Sequence, residues 1–210
     1  MASASTGIAG ASPPMARLWD RGEVIGAAVL ALAGIAWFGW AQENPPASWT
    51  PYLVAGQVIS AVLLIALVMV LVVRRLTTTG SAMADPRVRR RYWGTVAVEV
   101  ALIVGGNLLL AAVGHQAYDA AWTLFVVGVH FVPLGKVFHA RALARAGVAV
   151  AVAAVAAAGL GLATDLAPSA AAGACGGVVF IGYAGWVLGR GRRPVRKADA
   201  RTTAPGTAHR

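Results

Sequence analysis

Six long apolar segments alternate with short polar connections along the chain. The segments cover roughly 24–41, 51–73, 93–113, 120–138, 146–164 and 169–189. Each is close to about 20 residues, the length that an α-helix needs to cross the hydrocarbon core of a bilayer. The pattern therefore predicts an all-α fold, a bundle of six transmembrane helices.

The basic residues are distributed unevenly among the connections. All 18 Lys and Arg lie in the two tails, after the second segment or around the end of the fourth. The other three connections contain no Lys or Arg, and each carries one acidic residue: Glu43, Asp119 and Asp165. Lys and Arg beside a span are retained in the cytoplasm during insertion. The distribution predicts three antiparallel hairpins with both termini cytoplasmic.

The expected organisation is one membrane domain between two tails. Residues 1–22 are predicted to be a disordered cytoplasmic tail, residues 23–190 the six-helix domain, and residues 191–210 a basic disordered cytoplasmic tail. The first segment also has some features of a cleavable signal peptide, because Arg17 and Arg21 precede it and the small residues Gly39 and Ala41 lie at its end. Its length and its bulky aromatic residues favour a retained helix, and cleavage would leave five spans.

Composition supports a membrane protein. The chain is 58% hydrophobic and only 12% charged, with a mean hydropathy of +0.68, which leaves too little polar surface for a soluble globule. The net charge of +10 is explained by topology and by attraction to anionic inner-leaflet lipid, so nucleic acid is not an expected partner. The preference for Arg, Ala, Val and Gly is typical of a bacterial chain, and we expect a bacterial plasma membrane.

Eight arginines beside the predicted spans are expected to contact lipid headgroups, a more ordinary role than a specific anionic-ligand site. They are Arg74, Arg75, Arg89, Arg90, Arg91, Arg190, Arg192 and Arg193. The single cysteine, Cys175, lies inside the sixth segment. The sequence has no phosphate-binding loop, zinc-binding helix motif, paired redox cysteines or nucleophile elbow. No cofactor and no metal are expected.

Two ionisable side chains lie well inside the predicted spans, Glu99 in the third and His130 in the fourth. Counting along each helix from Tyr92 and Phe138 places both roughly 10–12 Å deep. Because an isolated charge in hydrocarbon is costly, each needs a partner, and a shared proton or an ion pair would satisfy both. They are predicted to face each other, although helical phase cannot be fixed from one sequence. A functional role and a purely structural one are equally open.

Other polar residues extend this predicted site. Tyr183 in the sixth segment reaches about the same depth as the pair, while Asn107 and Gln57 both lie about 8–9 Å from the outer boundary. They predict a polar interior between helices two, three, four and six. For Asn107 and Gln57 we favour simple interhelical hydrogen bonds. Pro133 is expected to kink the fourth helix beside His130 or to free the Val129 carbonyl for another donor. A broken helix beside a buried His is typical of a binding cavity, although kinks without a ligand are also common.

The segment Gly128, Val129, His130, Phe131, Val132, Pro133, Leu134 resembles a G-x-H-F-x-P-L pattern of small, uncharacterised multispanning bacterial membrane proteins. The resemblance covers the third and fourth segments only and includes a glutamate placed like Glu99. It implies that the pair belongs to a site but implies no particular activity.

Gly173 and Gly177 have the small-x-x-x-small spacing that permits close contact between helices. They are predicted to join the fifth and sixth helices within the bundle, rather than to form a dimer contact.

Three function classes remain open. The favoured one is a small transporter-, channel- or sensor-like bundle with a protonatable Glu99–His130 pair. The second is a structural or interaction subunit whose polar residues only fix the helices. The third, an intramembrane enzyme acting on a lipid or quinone, is the least supported, because no second catalytic constellation is present.

Overall fold

The computed structural model describes residues 21–73, 84–138 and 140–190. The two predicted tails therefore lie outside the described residues, except for Arg21 and Gly22, which belong to the first helix. Four of the arginines expected at lipid headgroups also lie outside: Arg74, Arg75, Arg192 and Arg193.

Six α-helices make up almost all of the described chain. They are α1 (Arg21–Trp40), α2 (Thr50–Val73), α3 (Pro86–Ala112), α4 (Asp119–Val137), α5 (Arg141–Ala163) and α6 (Pro168–Arg190). Each is long and apolar enough to cross a membrane, and the described residues include no strand. The predicted all-α fold is confirmed for the described residues, with six helices that have the length and composition of membrane spans.

Local sequence explains where α3 begins and ends. A carboxylate oxygen of Asp85 accepts a hydrogen bond from the Arg87 amide at 2.8 Å, and Pro86 occupies the first helical position, where its missing N–H costs nothing. Gly114 follows the helix with φ of 77°, a conformation that glycine adopts without a Cβ clash. This turn and a short 3₁₀ segment, Gln116–Tyr118, lead directly into α4.

The helices differ in how many neighbours they have. α4 with α5 and α1 with α6 make the most extensive contacts, while α6 also touches α2, α4 and α5. α2 packs mainly on α1, and α3 packs mainly on α4. α3 has no buried residue, whereas α1, α4 and α6 contribute most of the core. α2 and α3 therefore form two edges of the bundle.

The first helix is an integral part of the packing. Val24, Ala27 and Ala31 of α1 are fully buried in one cluster with Leu67 of α2 and Val187 of α6. Removal of α1 would expose this cluster, so the arrangement described here requires the first segment.

Glycines bring the backbones of α4 and α5 into contact. A Cβ added at Gly128 would lie 2.5 Å from the Ala151 nitrogen, and one at Gly147 would lie 2.6 Å from the Gly128 carbonyl oxygen. Such distances leave no room for a side chain. The close approach provides van der Waals contact where lipid offers no hydrophobic drive for association.

The prediction that Gly173 and Gly177 join α5 to α6 is wrong, because both face α1. A Cβ at Gly173 would lie 2.6 Å from the Trp37 carbonyl oxygen, and one at Gly177 would lie 2.7 Å from the Phe38 ring. The spacing of small residues shows that a helix can be approached closely, but it does not identify the approaching helix.

Candidate functional site between helices three and four

α3 rests on α4 along one narrow face. Its partly protected residues recur every three or four positions, as expected for one helix face, while the residues between them are exposed. They are Val88, Tyr92, Thr95, Val96, Glu99, Ile103, Gly106, Asn107 and Leu110. Three of these, Thr95, Glu99 and Asn107, carry polar side chains. The contact between α3 and α4 is therefore more polar than the glycine-rich contacts elsewhere in the bundle.

The structure brings Glu99 and His130 together at this contact. Nδ1 of His130 lies 3.4 Å from Oε2 of Glu99, and the side chains are 6% and 17% exposed, respectively. The imidazole also lies near the main chain at Thr95, one turn before Glu99. His130 is thus held against two successive turns of α3.

The pair is close without being hydrogen-bonded. Nδ1 of His130 is buried and has no hydrogen-bond partner among the described residues, although the Glu99 carboxylate is its near neighbour. An N–H donor and a carboxylate bond at about 2.7–3.0 Å, so an approach by a few tenths of an ångström with a proton on Nδ1 would complete the bond. The geometry can accommodate one proton between the two groups.

Two further contacts join α3 and α4 towards the other end of α3. Nδ2 of Asn107 donates to Oγ1 of Thr123 at 3.2 Å, and Nε1 of Trp122 donates to the Leu102 carbonyl oxygen at 2.9 Å. The Trp122 indole lies over Gly106, where an added Cβ would come within 1.8 Å of Nε1. We call these two contacts together with Glu99–His130 the α3–α4 seam.

Sequence reasoning missed Trp122 and Thr123. A usable signal was present, since a tryptophan N–H inside a membrane needs an acceptor and a nearby glycine can expose a backbone carbonyl to it. The Oδ1 atom of Asn107 is buried, and no residue in the described part of the chain donates a hydrogen bond to it. Each polar end of the seam therefore contains one buried polar atom, Nδ1 of His130 or Oδ1 of Asn107, that forms no hydrogen bond within the described residues.

Gln57 belongs to a different contact. Its side-chain carbonyl accepts from Nε2 of Gln42 at 2.8 Å, and its own Nε2 donates to the Ile35 carbonyl oxygen at 3.3 Å. These bonds join the C-terminal part of α1 and the residues just after it to α2, while Asn107 bonds across α3 and α4. The structure does not bring Gln57 and Asn107 into one polar layer, because equal depth places residues at one height but not on neighbouring helices. Both make the interhelical bonds that we favoured for them.

Tyr183 is also separate from the pair. Its ring packs against Trp186 on α6, with centroids 5.8 Å apart. Nearby, Nη1 of Arg190 lies 2.7 Å from Oε1 of Glu23, and the guanidinium lies 4.4 Å from the centre of the Trp186 ring. Arg190, which we expected at a headgroup, thus ties the end of α6 to the start of α1. An exposed pair of this kind contributes at most about 1 kcal/mol.

α4 remains one continuous helix through Pro133 as far as Val137. Proline has no N–H, so the Val129 carbonyl lacks its usual donor. Both residues line an open apolar groove of about 650 Å³ between α4 and α5. Neither Glu99 nor His130 lines this groove, so the cavity that we expected beside His130 lies on another face of α4.

The remaining predicted residues are at the surface. Arg89, Arg90 and Arg91 are exposed on the first turns of α3, and their contact with headgroups stays a prediction. Within the described residues, no group of three or more His, Cys, Asp and Glu could hold a metal ion.

No family model matches the chain, and neither a curated protein nor a solved structure matched it in the comparisons made. Any inference about function therefore rests on the geometry of the α3–α4 seam.

Proposed function

We propose that this protein is a small proton-responsive membrane bundle, sensor- or transporter-like, in which a proton shared by Glu99 and His130 controls the docking of α3 on α4. Six spanning helices support the membrane location. The observation that carries the proposal is the 3.4 Å approach of an acid and a base across the seam. Ionisable groups at membrane depth are costly and usually mark function.

α3 is the helix best suited to move. It has no buried residue and packs mainly on α4, so displacing it disturbs one interface. Its apolar outer face, which includes Val98, Leu102 and Leu109, is suited to lipid before and after such a movement. A helix held by a few polar contacts can adopt two positions that differ by a few kcal/mol, which is what a switch requires.

The chemistry of the pair gives the movement a direction. With one proton between them, Glu99 and His130 attract each other as an ion pair or a hydrogen-bonded pair. Removal of that proton leaves a carboxylate against a neutral imidazole, whose one remaining N–H is a weaker donor than the imidazolium. The carboxylate then gains by moving towards water. We expect α3 to be docked at lower pH and released at higher pH.

The distance between two spin labels tests this expectation. Cysteines replace Val104 on α3 and Val155 on α5, both exposed, in a Cys175→Ala background. Double electron–electron resonance is recorded in liposomes at about pH 5 and about pH 8.5, the two ends of the range in which histidine usually titrates. The distance distribution should shift with pH in this protein and should not shift in Glu99→Gln or His130→Gln.

A matched pair of labels provides the control. Cysteines at Val29 on α1 and Val155 on α5 should give one distribution at both pH values, because neither helix belongs to the seam. A shift that persists in Glu99→Gln would show that another group senses the proton. An unchanged distribution in the parent protein would reject the proposal and favour a structural role for the pair.

The proposal includes a topology with both termini cytoplasmic and three antiparallel hairpins. It is supported by the position of Lys and Arg on alternate connections. In the Cys175→Ala background, a membrane-impermeant maleimide applied to intact cells should label Ser48→Cys but not Ala84→Cys. Labelling of Ala84→Cys alone would show that the protein has the opposite orientation in the membrane.

The alternative is a structural or interaction subunit of a membrane complex. It is favoured by one observation, that the apolar groove between α4 and α5 lies apart from the Glu99–His130 pair. In that case the pair only fixes α3, and the label distances would be the same at both pH values. An enzyme acting on a lipid or quinone has no further support, because the seam has no second acid or base beside the pair.

A further inference from the structure

The apolar groove between α4 and α5 continues at one end into basic residues. Its walls are formed on α4 by Phe125, Val129, Val132 and Pro133, and on α5 by Val148, Ala151, Val152, Val155 and Ala156. Counting residues, both walls run for about 12 Å along their helices. The close contact at Gly128 and Gly147 keeps the two helices together beneath the groove.

The basic residues lie on the same helix faces as the groove. On α4, Lys136 follows Phe125, Val129 and Val132 at steps of four, three and four residues, so all four share one stripe. On α5, Arg141 and Arg145 precede Val148 and Val152 with the same spacing. The cations are therefore in line with the groove and not on the opposite sides of the helices.

Lys136 and Arg145 also lie at similar distances beyond the same end of the groove. Lys136 is about 6 Å along α4 from Val132, and Arg145 is about 4.5 Å along α5 from Val148. All three basic side chains are exposed, and in the described part of the chain Lys136, Arg141 and Arg145 make no ion pair. Three cations without acidic partners thus lie just beyond one end of the groove.

We propose that this surface binds one anionic phospholipid, with an acyl chain in the groove and the phosphate headgroup against Lys136, Arg141 and Arg145. The volume of about 650 Å³ is in the usual range for a small-molecule site, and the lining is almost entirely apolar. Basic pockets between membrane helices are suited to acidic headgroups, while the alkyl stems of Lys and Arg extend over apolar surface. The site uses a face of α4 distinct from the α3–α4 seam, so it does not depend on the proposed function.

Native mass spectrometry of the full chain in detergent tests the site. The protein is titrated with phosphatidylglycerol and with phosphatidylcholine of identical acyl chains. Phosphatidylglycerol should bind more tightly than phosphatidylcholine. The triple variant Lys136→Gln, Arg141→Gln, Arg145→Gln should weaken phosphatidylglycerol binding by roughly a hundredfold, since each basic residue contributes about fivefold. The variant should leave phosphatidylcholine binding unchanged.

Two controls separate this site from general attraction. The triple variant Arg89→Gln, Arg90→Gln, Arg91→Gln removes the same charge from exposed positions on α3. It should weaken phosphatidylglycerol binding much less, because headgroup contacts at these positions are not combined with the groove between α4 and α5. Val152→Trp fills the groove and should weaken binding, whereas Val62→Trp on the exposed face of α2 should not. Weakening of phosphatidylglycerol binding to the same extent by both triple variants would overturn the proposal.

Two further outcomes would also overturn it. Equal binding of phosphatidylglycerol and phosphatidylcholine would show ordinary annular lipid. In the second outcome, millimolar glycerol phosphate displaces the lipid and Val152→Trp has no effect on lipid binding. This result would show that the cations bind a soluble phosphate and that the groove takes no part.

Discussion

Gly128→Ala is expected to lower the thermal unfolding midpoint of the protein in detergent by roughly 2–8 °C. The added methyl group would lie 2.5 Å from the Ala151 nitrogen, a backbone atom that cannot rotate away. α4 and α5 must therefore separate, and overpacking of this kind costs about 1–3 kcal/mol. Alanine in a helix otherwise gains about 0.5–1 kcal/mol over glycine, so the loss is partly offset.

Gly159→Ala on α5 is the matched control for this prediction. An added Cβ at Gly159 meets nothing within 4 Å, so the same chemical change brings only the helix-forming gain. The midpoint should stay the same or rise. Equal midpoints for the two variants, measured by the loss of helical circular dichroism, would show that α4 and α5 are not in backbone contact.

The sequence was sufficient to predict the number and approximate limits of the helices. A run of apolar residues long enough to cross a bilayer has one stable form. α3 begins earlier than its apolar segment at 93, because Asp85 and Pro86 start the helix at Pro86 and the polar residues after it continue the helix. The proximity of Glu99 and His130 was also predictable. The short Gly114 turn joins their helices, and a costly charge at a given depth requires a partner at the same depth.

The neighbours of each helix could not be predicted in the same way. Gly173 of α6 packs against α1 and not against α5. Gln57 of α2 forms a hydrogen bond to α1 and not to α3. Depth follows from counting residues, but the choice of neighbour depends on the rotation of every helix and on the packing of the whole bundle. With lipid on the outside, apolar residues can face either lipid or protein, so hydrophobicity does not report the rotation.

The bundle combines two kinds of interface with different consequences. Gly128 and Gly147 permit backbone contact between α4 and α5, which is sensitive to a single methyl group. The α3–α4 seam instead depends on side-chain contacts, the Glu99–His130 approach and the hydrogen bonds of Trp122 and Asn107, and such an interhelical hydrogen bond contributes about 0.6 kcal/mol in membrane proteins. The first kind of contact suits a fixed core, and the second suits a helix that changes position.

Gly106→Ala is expected to release α3 from α4 at every pH. A Cβ at Gly106 would lie 1.8 Å from Nε1 of Trp122, so the indole must leave its position and lose its hydrogen bond to the Leu102 carbonyl. The movement removes the largest side chain of the seam. The spin-label distance between α3 and α5 should broaden at both pH values, and the unfolding midpoint should fall by a few degrees, about 2–4 °C per kcal/mol lost.

The adjacent glycine gives a close control, because Gly105→Ala makes the same change one residue away on a face where an added Cβ meets nothing within 4 Å. Gly105→Ala should retain both the parent distances and their response to pH. If Gly106→Ala instead keeps the parent distances, Trp122 does not hold α3. If it broadens them and still responds to pH as the parent protein does, the Glu99–His130 pair acts without docking of α3, and the proposed coupling between proton and helix position is wrong.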